Sequence, residues 1–134
     1  MANVLYDPGR EGIADRTVDL TGDVRAMLVK SAYAFSAAHK FLSDITSGND
    51  NGRTAALTSK TYTNGVVDAA DTTLTATAAV ACNALAIFQH TGTDSTARLI
   101  AYIDTPTSGL PFTPAAGQAV PITWDNGANK IFKL

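Results

Sequence analysis

The sequence predicts an all-β fold: one β-sandwich domain over residues 1–134, built from about seven or eight short strands. A jelly roll is one arrangement of such strands, and residues 1–15 form an N-terminal arm with a short helix. Three observations predict this. Glu11 is the sole glutamate, while Thr, Ala, Val, Asp and Gly dominate; glutamate is a good helix former, whereas Thr and Val favour strands. Thr73-Leu-Thr-Ala-Thr-Ala78 alternates strictly, placing three threonines on one face and Leu74, Ala76 and Ala78 on the other. Turn signals such as Thr21-Gly22-Asp23, Asn64-Gly65 and Asp125-Asn126-Gly127 recur between the apolar runs.

In chain order, Asp7 is placed to cap a short helix with Pro8 at its first position, running through Gly9-Arg-Glu-Gly-Ile13. Two glycines keep that helix short. Arg16–Leu20 and Val24–Lys30 read as strands. Residues 31–51 lack clean alternation: Phe41–Ile45 suits a single helical turn, and Ser47–Gly52 is a loop by composition. Arg53–Thr63 is expected to pair with later residues. Ala84–Gln89 and Arg98–Ile103 are apolar on both faces and read as central strands joined by the polar loop 90–96. A Pro/Gly/Ser/Thr connection follows over Pro106–Gly117, with Leu110 and Phe112 able to reach the core. Val120–Trp124 and Lys130–Leu134, separated by the Asn-Gly signal, are expected to form a closing hairpin.

Composition narrows function. Charged residues are 16% of the chain, below the roughly 25% of ordinary soluble domains. A chain so sparing in charge either hides much of its surface or relies on Thr, Ser, Asn and Gln for solubility. The net charge of −2 and the lack of any Lys or Arg between Lys60 and Arg98 argue against a nucleic-acid partner. No basic-then-apolar leader opens the sequence, and no run approaches the roughly 18 apolar residues of a membrane span, so no membrane partner is expected. Cys82, the single cysteine, excludes an intrachain disulfide and reads as a small buried residue.

No enzyme site is expected. His39 and His90 have no Cys or Glu at ligand spacing; His90 reads as a strand-end residue and His39 as loop surface. Asp7 and Glu11 share a helix face, where pairing with Arg10 or Arg16 accounts for them. Asp68 and Asp71 suit turn hydrogen bonds better than a calcium site, which needs about six to eight oxygens. No metal or other cofactor follows from these residues. The remaining candidates for recognition are aromatic. Tyr33, Phe35 and Phe41 sit in the stretch without regular pattern, and Leu5-Tyr6 lies in an arm able to reach a neighbouring subunit.

The two ends carry a resemblance. Met1-Ala-Asn-Val-Leu-Tyr-Asp-Pro-Gly-Arg-Glu11 and Trp124-Asp-Asn-Gly-Ala-Asn-Lys-Ile-Phe-Lys-Leu134, with Arg98-Leu-Ile-Ala-Tyr-Ile-Asp-Thr105 between them, resemble small structural proteins of tailed-bacteriophage virions. The resemblance implies a capsid decoration, or cement, protein that bridges major capsid subunits and stabilises the assembled head. Its expected partners are the major capsid protein and itself, as a homodimer or homotrimer. Its expected place is the capsid surface of the virion, after a passage through the host cytoplasm during assembly. The alternative within that context is a tail or head-fibre adhesion or adaptor protein, binding host glycan through loops 90–97 and 105–117.

Overall fold

The computed structural model describes residues 4–104, 113–125, 127–128 and 130–134, without the side chains of residues 46 and 47. It is an all-β, sandwich-like structure of antiparallel sheets and not a closed barrel. Nine short strands are described: β1 (Val4–Leu5), β2 (Val24–Lys30), β3 (Asp50–Arg53), β4 (Val66–Val67), β5 (Thr72–Thr75), β6 (Cys82–Gln89), β7 (Leu99–Ile103), β8 (Ala119–Ile122) and β9 (Phe132–Lys133). The helices are α1 (Asp7–Ala14) and α2 (Ser43–Asn49).

The main sheet has the order β1-β7-β6-β2-β3, and two ribbons, β4-β9 and β5-β8, cover one of its faces. Between them lies the larger core. Ala26 and Leu28 of β2, Leu85 and Ile87 of β6, and Ile103 of β7 pack there with Leu74, Val120, Ile122, Trp124, Ile131 and Phe132. The opposite face carries a second apolar layer of Met27, Val29, Ala84, Ala86, Phe88 and Tyr102 beneath Tyr6, Tyr33, Leu42 and Ile45. The central strands are therefore buried on both faces, as their unbroken apolar runs require. Each such Leu, Ile or Phe is worth roughly 1.5–3 kcal/mol of transfer free energy.

Three bulges shape this sheet. Ile87 faces Ala101 and Phe88 faces Leu99, leaving Ile100 as the extra residue of β7. Asn83 is extra on β6 between the Val29–Ala84 and Lys30–Cys82 pairs, and β3 carries one more residue than β2 between Met27–Arg53 and Val29–Asp50. An extra residue breaks the two-residue alternation and leaves backbone groups unpaired in the ladder. At Ile100 the consequence is visible: its carbonyl accepts the Tyr6 N–H at 3.0 Å, which sets the start of α1. Gly9 then lies directly on this bulge; a Cβ there would stand 2.7 Å from the Leu99 carbonyl oxygen and 2.8 Å from that of Ile100. Arg98 secures the same junction, donating through Nη2 to the Pro8 carbonyl at 2.6 Å and through Nη1 to Thr17 Oγ1 at 3.1 Å.

The structure departs from the sequence-based expectations at five places. Arg53–Thr63 does not pair forward as a strand: Arg53 pairs back with Met27, and Thr58 and Thr61 make backbone bonds to the later Ala70 and Asp68 without forming one. Asp7 does not cap α1: Tyr6 occupies the cap position without a side-chain bond, and Asp7 sits in the first turn, 4.0 Å from Arg10. Arg16–Leu20 is no strand but a pair of tight turns in which Asp15 and Asp19 each accept the backbone N–H and hydroxyl of the threonine two residues on. Ser47–Gly52 is not a loop; α2 runs to Asn49, and Asn51 and Gly52 belong to β3. The closing hairpin does not form, because β8 pairs with β5 and β9 with β4, on separate ribbons. Leu110, Phe112 and Asn126 lie outside the described residues.

Candidate interaction surface

Residues 31–42 leave β2, cross the outer face of the main sheet and rejoin it through a bridge between Phe41 and Arg98. With few apolar alternations of its own, this segment is held by aromatic packing. Phe35 rests 5.3 Å from the Tyr6 ring and 4.9 Å from that of Tyr102, and Tyr33 lies 5.9 Å from Tyr102, all tilted and within the range of aromatic contact. Beneath them runs a hydroxyl chain: the Tyr6 and Tyr33 oxygens are 3.1 Å apart, and Tyr33 Oη is 2.7 Å from His39 Nδ1. Burial pushes the phenols of Tyr6, Tyr33 and Tyr102 above the ordinary tyrosine value, most strongly at Tyr6, so all three stay neutral through the physiological range. Neutral, tethered phenols are poor acid–base catalysts at neutral pH and good packing material.

The register of the strands gathers three loops at one end of the sandwich. Lys30 pairs with Cys82 and Leu85 with Ile103, so β2 ends where β6 begins and β7 ends. Thr75 pairs with Ala119, and Ala76 and Gln118 bond just beyond, bringing the β8 entry to the same place. A buried asparagine locks the arrangement. Asn51 Oδ1 accepts the Ala78 N–H at 2.8 Å and the Thr77 hydroxyl at 3.0 Å, and its Nδ2 donates to the Ala78 carbonyl and to Cys82 Sγ, both at 3.1 Å. Every polar group of that side chain is satisfied, which is what permits its full burial. Cys82 itself is buried, with its thiol pushed upward by burial, so it is not a reactive nucleophile.

These loops, residues 31–38, 76–82 and 113–119, contain no charged residue. Ala32, Ala34, Ala79, Val80, Ala81, Ala115 and Ala116 are exposed on them, Val80 to 41%, beside the neutral polar Ser31, Thr77, Thr113 and Gln118. Lys30 stands at the rim. The other end is charged. Asp23 with Arg25, and Arg53 with Asp94 at 2.8 Å through both guanidinium ends, cluster around the Val24, Gln89 and Arg98 termini. Among the described residues, the three loops of this end are thus uncharged, with Lys30, Asp50 and Asp104 at their margin.

The predicted candidates are redistributed accordingly. Leu5, Tyr6 and Tyr33 are buried at 7%, 0% and 8% exposure, and β1 docks on the chain's own β7, with Val4 facing Tyr102 and Leu5 facing Ala101. They are foundations of the surface and not anchors reaching from it. Phe35 and Phe41 are half-buried; Lys40 Nζ stands 5.4 Å and Arg98 Cζ 5.9 Å from the centre of the Phe41 ring. His39 is tied to Tyr33, and His90 packs edge-on to Phe88. Asp71 accepts the Trp124 N–H at 3.0 Å. No cluster of three or more His, Cys, Asp or Glu able to hold a metal ion occurs among the described residues, and no described helix is long and apolar enough to cross a membrane. The alanine-rich loops were missed as a surface because alanine reads as neither core nor contact; the signal was the absence of charge across three separate segments.

No family model, curated protein or solved structure matches this chain.

Proposed function

We propose that this protein is a capsid decoration protein of a tailed bacteriophage, seated on the assembled head and bridging major capsid subunits. The observation that carries the reading is the uncharged end. Exposed Ala and Val on loops fixed by Asn51 and by the aromatic layer form a surface that loses little conformational entropy and little polar hydration on docking against another protein. The terminal segments that resemble virion proteins support the same reading. In space they adjoin: β1 and α1 lie on β7, and Leu134 lines an apolar groove with Leu5, Ile13 and Ala14.

The mechanism is thermodynamic. A protein that binds the assembled shell and not its free subunits stabilises the shell by mass action, about 2.7 kcal/mol per site at a hundred times Kd. Copies that also touch one another, as dimers or trimers, make successive contacts effectively intramolecular. Two tests bear on this. Quantitative mass spectrometry of purified particles should find hundreds of copies in simple ratio to the major capsid protein; a handful would place the chain in the tail or at a vertex, and none would end the virion reading. Val80→Asp should abolish binding to undecorated shells while leaving the melting temperature within a few degrees of wild type, whereas Ser95→Asp, in the loop at the charged end, should bind normally. Equal binding by both variants would remove the uncharged end from the interface.

A further inference from the structure

We infer that the cleft between the Thr61–Asp68 segment and residues Ala128 and Lys130 is a binding site for a neutral polyhydroxylated ligand, a saccharide unit. The cleft measures about 300 Å³ and is lined by Thr61, Thr63, Asn64, Val66, Asp68, Ala128 and Lys130, a volume at the lower edge of small-molecule sites. Its walls are held by backbone hydrogen bonds. Thr61 and Asp68 exchange both backbone hydrogen bonds, at 2.9 and 3.0 Å. The walls are also stapled to each other, by Ile131 N–H to the Val67 carbonyl at 3.1 Å and Leu134 N–H to that of Gly65 at 2.8 Å.

What lines this cleft is polar and uncommitted. The Asp68 carboxylate, the Lys130 ammonium and the Asn64 carboxamide make no side-chain hydrogen bond or ion pair to any described residue. Asp68 and Lys130 therefore line one cleft without pairing. Two of the four described non-glycine residues with left-handed backbone, Asn64 (φ 55°) and Lys130 (φ 47°), line it as well. Asparagine tolerates that conformation; lysine does not prefer it, and glycine would be less strained.

The charges choose the ligand class. An anion attracted by Lys130 is opposed by Asp68, and a cation drawn to Asp68 is opposed by Lys130. A neutral polyol satisfies both: one hydroxyl donates to the carboxylate, another accepts from the ammonium, and Asn64, Thr61 and Thr63 supply either role. Val66 and Ala128 offer apolar contact to sugar C–H groups. The β4-β9 ribbon packs over Val24 and Ile87, toward the charged end, so a copy docked through the uncharged end presents the cleft outward.

The test is amide chemical-shift mapping of the full chain titrated with neutral hexoses, deoxyhexoses and N-acetylhexosamines, with inorganic phosphate and glycine as charged and zwitterionic controls. The expected result is saturable shifts at Asn64, Asp68 and Lys130 with at least one sugar, in the millimolar range. Asp68→Asn and Lys130→Gly should each weaken that binding tenfold or more. Lys130→Gly should keep or raise the melting temperature, so its loss of binding would not be a loss of fold. No shifts at these residues with any sugar, stronger binding of phosphate or glycine there, or undiminished sugar binding by both variants would overturn the inference.

Discussion

The hydroxyl chain from Tyr6 through Tyr33 to His39 makes an unequal demand on its members. Tyr6 is fully buried and Tyr33 nearly so, and Tyr33 is the one that touches both neighbours. Removing the Tyr6 hydroxyl leaves Tyr33 bonded to His39, a loss of about 1 kcal/mol. Removing the Tyr33 hydroxyl strands the Tyr6 oxygen in a dry core as well, which costs a further ~1–3 kcal/mol. Tyr33→Phe should therefore be clearly more destabilising than Tyr6→Phe in urea melts. The double variant should be no worse than Tyr33→Phe alone, since it removes the stranded group. Equal single-site effects would mean that the chain is not a chain. The aromatic residues of the irregular segment were legible in the sequence as unusual; that they fold inward was not, because a tyrosine has the same composition whether its hydroxyl meets a partner protein or its own histidine.

Bulges decide which segments meet. The extra residue at Ile100 gives Tyr6 its acceptor and gives α1 its seat, and Gly9 is small because the β7 backbone is what it touches. Gly9→Ala should cost about 1–3 kcal/mol, since backbone cannot move aside as a side chain would. A chemical-denaturation midpoint unchanged from wild type would show that α1 is not seated on β7. The same devices mark where the sequence could be read and where it could not. Strands β2, β6 and β7 and the Thr face of β5 follow from apolar runs and alternation, local signals that survive folding. Strand β3 is hidden in Asp-Asn-Gly-Arg, a turn composition, because Asn51 is buried by hydrogen bonds and not by hydrophobicity, and because Gly52, at φ 117°, packs against the Thr75 carbonyl. The C-terminal strands were recognised as strands, yet their partners lie on different ribbons; alternation says that a segment is extended and never with what it pairs.

At the scale of the whole molecule, the carboxylates bonded to Thr, Arg and backbone gather toward one end, and acid should act there. Asp15, Asp19, Asp23, Asp44 and Asp94 are all held below the ordinary aspartate value, by hydrogen bonds from Thr17, Thr21, Arg25, the Phe41 backbone and Arg53 respectively. Carboxylates that bind protons less readily when folded favour the unfolded chain as protons are added. Their contribution is complete above the unfolded value of about 4 and fades as pH falls below it. Thermal melts should thus be flat with respect to these groups from neutral pH to about pH 5 and decline below about pH 4, with a shallower decline in Asp94→Asn. A melting temperature that held or rose below pH 4 would contradict these shifts. The docking of β1 on β7 has a further consequence, in time. Val4 and Leu5 are made before their partners Tyr102 and Ala101, which follow about a hundred residues later; at roughly 5–20 residues per second that is a wait of some seconds. Through that interval Tyr6 has no acceptor and Gly9 no seat. Segment 4–9 thus becomes native only after β7 has been made, and the aromatic layer beneath the uncharged loops waits for Tyr102.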